Sequence, residues 1–509
     1  MENQKTVNLS VKYFTETIRL EAIDEANSFS EAVIGEALNF VAACDKKVTP
    51  VVVYDNEAIL PVNGVYTITV REGAELSVNA DGISPTLTHL PGVGLNGEDL
   101  TKYNEEVFMK NIWEGDTVYH EAVMFANTTD GTVQTTKKLL YPIDDVISVR
   151  NCDLNIWYVK GVDFDVKDGK LVWIEGGKCP IWTGPFIVSQ KAEDEYFDPA
   201  LAKYGKLSTA GYYTTDDKNG LYLIFDPYHE KHTVYVTYKH SKTWKDLGEE
   251  GYLPHIPKNQ SHKMKNFYDK LNAKEEINVL VYGDSVATGC CSTGANVVYE
   301  IFSKSPDAET GDYKVILRKE RGYGISAPTF FEQATAKLVK DYGNGNNINY
   351  YNIACGGTGA AWGARELLNR VEAMNKFYGK TVTPDIIYVE FSGNDPRTAP
   401  ESYRTSLTSI TNDFRKLYPN AVIVLIAGKI NNEKTYIYGD YHDNMLVLEQ
   451  VLEDIAVGTE NTIVAKTTTE WDNITNSKDA EDYLSNNINH ANDFWAKTAA
   501  QIIVASAKK

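Results

Sequence analysis

No apolar stretch in this chain approaches the ~18 residues that a membrane-crossing helix needs, so no transmembrane helix is expected. The opening residues, MENQKTVNLSVKYF, also lack the long apolar core of a signal peptide. That leaves the cytoplasm, or secretion if an export signal lies outside this chain. Basic residues are in deficit. Lys and Arg number 50 against 70 Asp and Glu, a formal charge of −20. Such a surface repels phosphate backbones, and no basic run offsets it, so neither nucleic acid nor a membrane is an expected partner. Cysteine is sparse. Cys44, Cys152, Cys179, Cys290, Cys291 and Cys355 form no C-x-x-C pair, and no His cluster stands beside them at zinc spacing. They read as reduced thiols, which mildly favours the cytoplasm. No metal and no cofactor are expected.

What is present is ordinary for a large globular protein: 509 residues, 43% hydrophobic and 24% charged. Single domains run to ~100–200 residues, so two to four are expected. Tyrosine is abundant, with 32 copies, and in β-rich modules it often lines ligand surfaces. The chain changes character near residue 250. Before it, short β-type runs alternate with Gly/Asp/Asn turns: VYTITV (Val65–Val70), KLLYPI (Lys138–Ile143), NIWYV (Asn155–Val159), LYLIF (Leu221–Phe225) and TVYVTYKH (Thr233–His240). This density predicts β-sandwich modules. A break near Gly92–Asp99 divides them into a small immunoglobulin-like module, residues 1–95, and a larger sandwich, residues 100–245. Residues 246–276 read as a linker and leading helix. From Ile277 to Lys509 strand and helix patterns alternate. Apolar runs at 277–282, 349–354, 385–391, 421–428 and 462–467 are separated by helical stretches, including 361–378, 401–417, 444–455 and 491–507. Near-continuous apolar strands with helical crossovers mean a parallel sheet covered on both faces. The predicted class is α/β, a flavodoxin-like three-layer α/β/α sandwich with a five-stranded parallel sheet.

Ligands of open α/β sheets bind beyond the carboxyl ends of the strands. The first strand ends in Gly283-Asp284-Ser285, the second in NIACGGTG with Gly356 and Gly357, and the third in Ser392-Gly393-Asn394-Asp395. Asn487-Ile488-Asn489-His490 precedes the last helix, where its loop can reach the same edge. These residue types suit nucleophilic catalysis. A serine hydroxyl needs a base within hydrogen-bond reach, and histidine fills that role near neutral pH. The tetrahedral oxyanion needs preorganised donors, which the N–H groups of Ser285 and Gly357 and the Asn394 amide can supply.

In this order the four blocks resemble the SGNH, or GDSL-type, serine hydrolases over about 230 residues. The resemblance implies esterase activity without a metal, often removal of acetyl groups from carbohydrate. It implies Ser285 as nucleophile, His490 as base, and Ser285, Gly357 and Asn394 as the oxyanion hole. Two β-type modules ahead of such a domain resemble bacterial carbohydrate esterases, so an acetylated carbohydrate or small ester is the expected partner. One position departs. The family's aspartate three residues before the histidine is Asn487 here. An amide can orient an imidazole but cannot stabilise imidazolium by charge, and in serine proteases the equivalent exchange costs roughly 10⁴ in turnover. The alternatives are a weakened, hydrolase-like carbohydrate-binding protein, or transfer of the acetyl group to another sugar.

Other features read more plainly. Asp284 braces the nucleophile turn. His442 borders the cleft or sits in a surface loop, the latter being favoured. Trp362 and Trp471 are sugar platforms or core. Gly92-Val93-Gly94-Leu95-Asn96-Gly97 spells G-x-G-x-x-G without a strand–turn–helix context and reads as a turn. HEKH (His229–His232) reads as a hairpin loop. VVYEIFSK (Val297–Lys304) and YKVILRKE (Tyr313–Glu320) read as a β-type insertion rooted at the catalytic edge.

Overall fold

A computed structural model describes residues 5–9, 11–13, 18–23, 28–44, 51–54, 57–59, 61, 65–79, 103–127, 133–183, 187–189, 212–216, 221–224, 229–248, 251–273, 275–290, 292–294, 302–315, 327–432 and 442–509. The C-terminal sheet has five parallel strands: β1 (Ile277–Gly283), β2 (Ile348–Asn352), β3 (Ile386–Glu390), β4 (Val422–Ile426) and β5 (Thr462–Ala465). Their spatial order is β2-β1-β3-β4-β5, the flavodoxin-like winding. The order reverses between β1 and its neighbours, which opens a crevice beyond the ends of β1 and β3. Every residue of β3 and β4 is buried, as an apolar strand covered on both faces requires.

Helices α1 (Lys265–Asn272), α2 (Phe330–Tyr342), α3 (Ala360–Tyr378), α4 (Pro400–Leu417), α5 (His442–Gly458), α6 (Thr467–Thr475) and α7 (Asp493–Ala507) complete the domain. Local signals set most boundaries. Thr329 and Glu332 form a capping box on α2, Pro400 opens α4, and Gly379 closes α3 in a left-handed conformation. Helix α6 was not foreseen. The run TIVAKT ends as a strand at Ala465, and α6 starts two residues later. Its first free N–H groups are met by a distant acceptor. Glu449 Oε2, from α5, takes the amides of Thr468 and Thr469 at 2.9 and 3.1 Å. Among the described residues no helix is long and apolar enough to cross a membrane.

The N-terminal half is β-rich. Residues 5–79 enclose a small core of their own, including Leu38, Phe40, Val52, Tyr66, Ile68 and Val78. The expected boundary at 95–100 and the G-x-G-x-x-G turn lie outside the described residues. Further on, Thr233–Lys239 forms the centre of an antiparallel sheet between Thr117–Met124 and Asp145–Asn151. Three expectations need correction. KLLYPI is no strand. Its Leu140 and Tyr141 amides bind side chains, Glu121 Oε1 at 2.9 Å and the Tyr238 hydroxyl at 3.1 Å, rather than a neighbouring ladder. NIWYV is no strand either. The Asn151 side chain takes the Asn155 and Ile156 amides, and only an isolated bridge joins Arg150 to Trp157. HEKH is a 3-10 turn, and the strands flanking it, Leu221–Ile224 and Thr233–Lys239, belong to different sheets, so no hairpin connects them.

One hydrophobic core runs from Val107 and Phe108 through Val123 and Tyr238 into Ile277, Phe494 and Ile503. The residues after 103 therefore share their interior with the α/β domain. Polar groups seal the contact. Gln501 on α7 donates to the Phe108 and Lys110 carbonyls at 2.7 and 2.6 Å. Asp482 accepts the Met124 amide at 2.7 Å. Lys478 meets Glu121 at 2.6 Å with both side chains fully buried. Lys497, enclosed on α7 and donating to the Tyr119 carbonyl, is pushed down by burial to about 7.

Candidate active site

β1 delivers Ser285 into a tight turn. Gly283 is required there, because a Cβ on it would stand 2.0 Å from the Glu390 carbonyl oxygen. The Asp284 amide donates to that same carbonyl at 3.0 Å, and the Cys355 amide donates to the Gly283 carbonyl at 2.9 Å. The starts of the first two loops are thus stitched to the strand ends. Asp284 is buried, and its Oδ1 accepts the Val286 amide at 2.8 Å, which braces the serine turn as the sequence suggested. Ser285 itself is partly exposed.

His490 reaches Ser285 directly, with Nε2 and Oγ 3.0 Å apart. Its loop is shaped by Asn486, whose Oδ1 accepts the amides of Ile488, Asn489 and His490, each at 3.0 Å. Asn487 occupies a left-handed conformation, φ +65°, which asparagine tolerates better than most residues. Asn432, beyond β4, donates to the Asn487 carbonyl at 2.8 Å and to its Oδ1 at 3.2 Å. Asn487 is therefore braced by a neighbouring loop.

Gly357 lies just past β2, exposed and at φ +68°, a conformation that favours glycine. The Lys304 ammonium donates to its carbonyl at 2.8 Å, tying the insertion to this loop. Asn394 follows β3. Its amide donates to the Thr358 carbonyl at 3.0 Å and to Asp284 Oδ2 at 3.3 Å, so the second and third loops meet beside the serine turn. Asp395 accepts the Ala360 amide at 2.9 Å and so caps α3. Burial lifts its carboxyl to about 6. The structure thus gathers Ser285, His490 and Asn394 at one sheet edge, with Gly357 one residue from the Thr358 carbonyl that holds Asn394.

The secondary candidates divide. Trp471 is core, packed edge-to-face on Tyr483 and Trp495. Trp362 is half-buried under the Arg370 guanidinium, 5.2 Å from its ring centroid. His442 opens α5, and its Nε2 lies 2.7 Å from Asp472. Most of the two β-type runs of the insertion lies outside the described residues. In its described stretch the Ser303 amide donates to the Lys314 carbonyl at 2.7 Å. Arg370, fully buried, anchors that stretch by donating to the Phe302 and Ser303 carbonyls, each at 3.0 Å. Sequence reasoning missed Asn486, Asn432 and Glu390. Only Glu390 left a signal, a charged residue inside the apolar run DIIYVEF.

No family model matches the chain, and no curated protein matches its sequence. Solved structures do. A two-domain esterase active on acetylated mannans, co-crystallised with mannopentaose, matches with TM-score 0.32 and 14% identity over 49% of this chain and 54% of its own. AlinE4, an SGNH-hydrolase family esterase, matches with TM-score 0.24 and 15% identity over 38% of this chain and 76% of its own. TesA matches with TM-score 0.23 and 15% identity over 37% and 77%.

Proposed function

We propose that the chain is a serine esterase that removes acyl groups, chiefly O-acetyl, from carbohydrate. The observation that carries the reading is the 3.0 Å contact between His490 Nε2 and Ser285 Oγ at the carboxyl edge of the sheet. Ser285 Oγ attacks the ester carbonyl while His490 takes its proton. The oxyanion is received by the N–H groups of Ser285 and Gly357 and by the Asn394 amide. Collapse expels the alcohol, which takes the proton from His490, and leaves an acyl-serine. Water, deprotonated by His490, then releases the acid. A glycan substrate is what β-type modules ahead of such a domain imply by their resemblance to bacterial carbohydrate esterases.

Asn487 favours a second reading, a hydrolase-like binding protein whose turnover is weak for want of a carboxylate beside His490. One assay set separates the two. Wild type should hydrolyse p-nitrophenyl acetate and release acetate from an acetylated polysaccharide. Ser285→Ala should do neither while keeping its fold, and a serine-directed phosphonate should label Ser285. Turnover surviving in Ser285→Ala would sink the mechanism, and an inert wild type that still binds the glycan would establish the second reading.

A further inference from the structure

A second acid lies beneath the serine turn. Glu390, the last residue of β3, is 1% exposed in a strand otherwise made of apolar and tyrosine side chains. Its Oε1 accepts the Ser392 hydroxyl at 2.9 Å, whereas its Oε2 is buried and meets no N–H or O–H donor. Its neighbour is Asp284, fully buried, whose amide donates to the Glu390 carbonyl at 3.0 Å and whose carboxyl is hydrogen-bonded to that of Glu390. Two carboxyl groups in contact away from water cannot both be ionised, so they share a proton. A proton on Glu390, donated to Asp284, resolves the orphaned oxygen. Burial and the Asp284 charge together hold the Glu390 carboxyl well above the ordinary range. The charge remaining on Asp284 is balanced by Lys429, 1% exposed, whose ammonium donates to Asn431 Oδ1 at 2.8 Å. Asn431 in turn donates to the Gly393 carbonyl at 3.0 Å. Among the described residues, Asp395 and the buried Tyr403 phenol also face the pair.

This pair matters because of Asn394. Its amide has two hydrogens, and both are engaged, one by the Thr358 carbonyl at 3.0 Å and one by Asp284 Oδ2 at 3.3 Å. To serve an oxyanion the amide must release one of them, and the longer bond is the one to Asp284. A bare carboxylate would hold it harder than one that already accepts a proton from Glu390. We propose that Glu390 is a positioning residue: by sharing a proton with Asp284 it keeps the Asn394 amide aimed yet free to turn to the oxyanion. The inference rests on the esterase reading of Ser285. It assigns Glu390 no contact with substrate.

Two variants and one spectrum test it. Glu390→Gln keeps a donor toward Asp284 and an acceptor for Ser392, and should hold kcat on p-nitrophenyl acetate within about threefold. Glu390→Met removes the donor and should lower kcat about 10- to 100-fold, less than the roughly 10²–10³-fold loss of an oxyanion donor itself, with KM within about twofold. Thermal melts of both variants exclude unfolding as the cause. Glu390→Met within threefold of wild type, or Glu390→Gln falling as far as Glu390→Met, overturns the proposal. Infrared difference spectra of wild type minus Glu390→Gln need no turnover. They should show the C=O stretch of a protonated carboxylic acid at neutral pH. Absence of that band overturns the shared proton, whereas an inactive wild type that shows it sinks the esterase reading and keeps the acid pair.

Discussion

Replacing Lys478 by methionine should destabilise the protein by about 4 kcal/mol. The Lys478 ammonium lies 2.6 Å from Glu121 Oε1 with neither side chain exposed, and it also donates to the Ala122 carbonyl at 2.6 Å. At an effective dielectric of 20 the pair attraction is roughly 6 kcal/mol, most of it offset by the cost of taking both ions out of water. Methionine fills the space but strands the Glu121 carboxylate. That carboxylate keeps the Leu140 amide at 2.9 Å and the Tyr238 hydroxyl at 2.7 Å. Asp482, which loses a partner 3.9 Å away, keeps Lys137 at 3.2 Å. Removing one partner of a buried ion pair costs about 3–5 kcal/mol, because the other charge is left uncompensated away from water. For a cooperative unit of roughly 400 residues, about 4 kcal/mol lowers Tm by about 5 °C. Thermal melts of wild type and Lys478→Met measure it. Lys478→Met combined with Glu121→Gln should recover most of the loss. No recovery in the double variant would refute the charge argument and point to packing.

Two further outcomes are expected. Asn487→Asp fits the left-handed position, since aspartate also tolerates it. It should raise turnover at neutral pH and move the acidic limb of the pH–rate profile up by about one unit, as a carboxylate beside an imidazolium does. An unmoved limb with no rate gain would show that another group already serves His490. A fragment starting at Gln260 should be insoluble or unfolded, because it strips Val107, Phe108, Val123 and Tyr238 from the shared core and exposes the apolar faces that packed on them. A soluble fragment with full activity on p-nitrophenyl acetate would show that the core divides.

The α/β half was legible because its signals are local. Apolar runs such as AVIVLIAG and breakers such as Pro400 and Gly379 act within a few residues, and strands and helices fell within about three residues of where the pattern put them. The convergence of the blocks around Ser285, Asn394 and His490 on one edge was legible for a different reason, since a candidate site at strand ends is written in short loops. What was hidden is held from a distance. Helix α6 depends on Glu449, about twenty residues upstream. Leu140 and Tyr141 look like strand residues, yet their amides are taken by Glu121 and Tyr238 side chains. The pairing of Glu390 with Asp284 joins residues more than a hundred positions apart, which no periodicity records.

The way the N-terminal sheet meets the histidine loop bears on the order in which the protein can assemble. The Glu230 amide donates to the Ser485 carbonyl at 3.3 Å, and Glu230 is in turn gripped by the Tyr235 hydroxyl at 2.7 Å. Five residues beyond Ser485 stands His490. The Glu230–Ser485 contact, like those of Gln501 with Phe108 and Lys110, spans more than two hundred and fifty residues. A ribosome adding about 5–20 residues per second finishes the sheet strand Thr233–Lys239 roughly 10–60 s before it delivers α7. Throughout that interval the faces of Phe108, Val123 and Tyr238 that will meet the last helix have nothing to cover them. Contacts this remote also slow folding after release. Synthesis in cells should therefore respond strongly to chaperone supply and to growth temperature, and changes to the last fifteen residues should appear first as lost yield, before any change in rate is seen in the protein that survives.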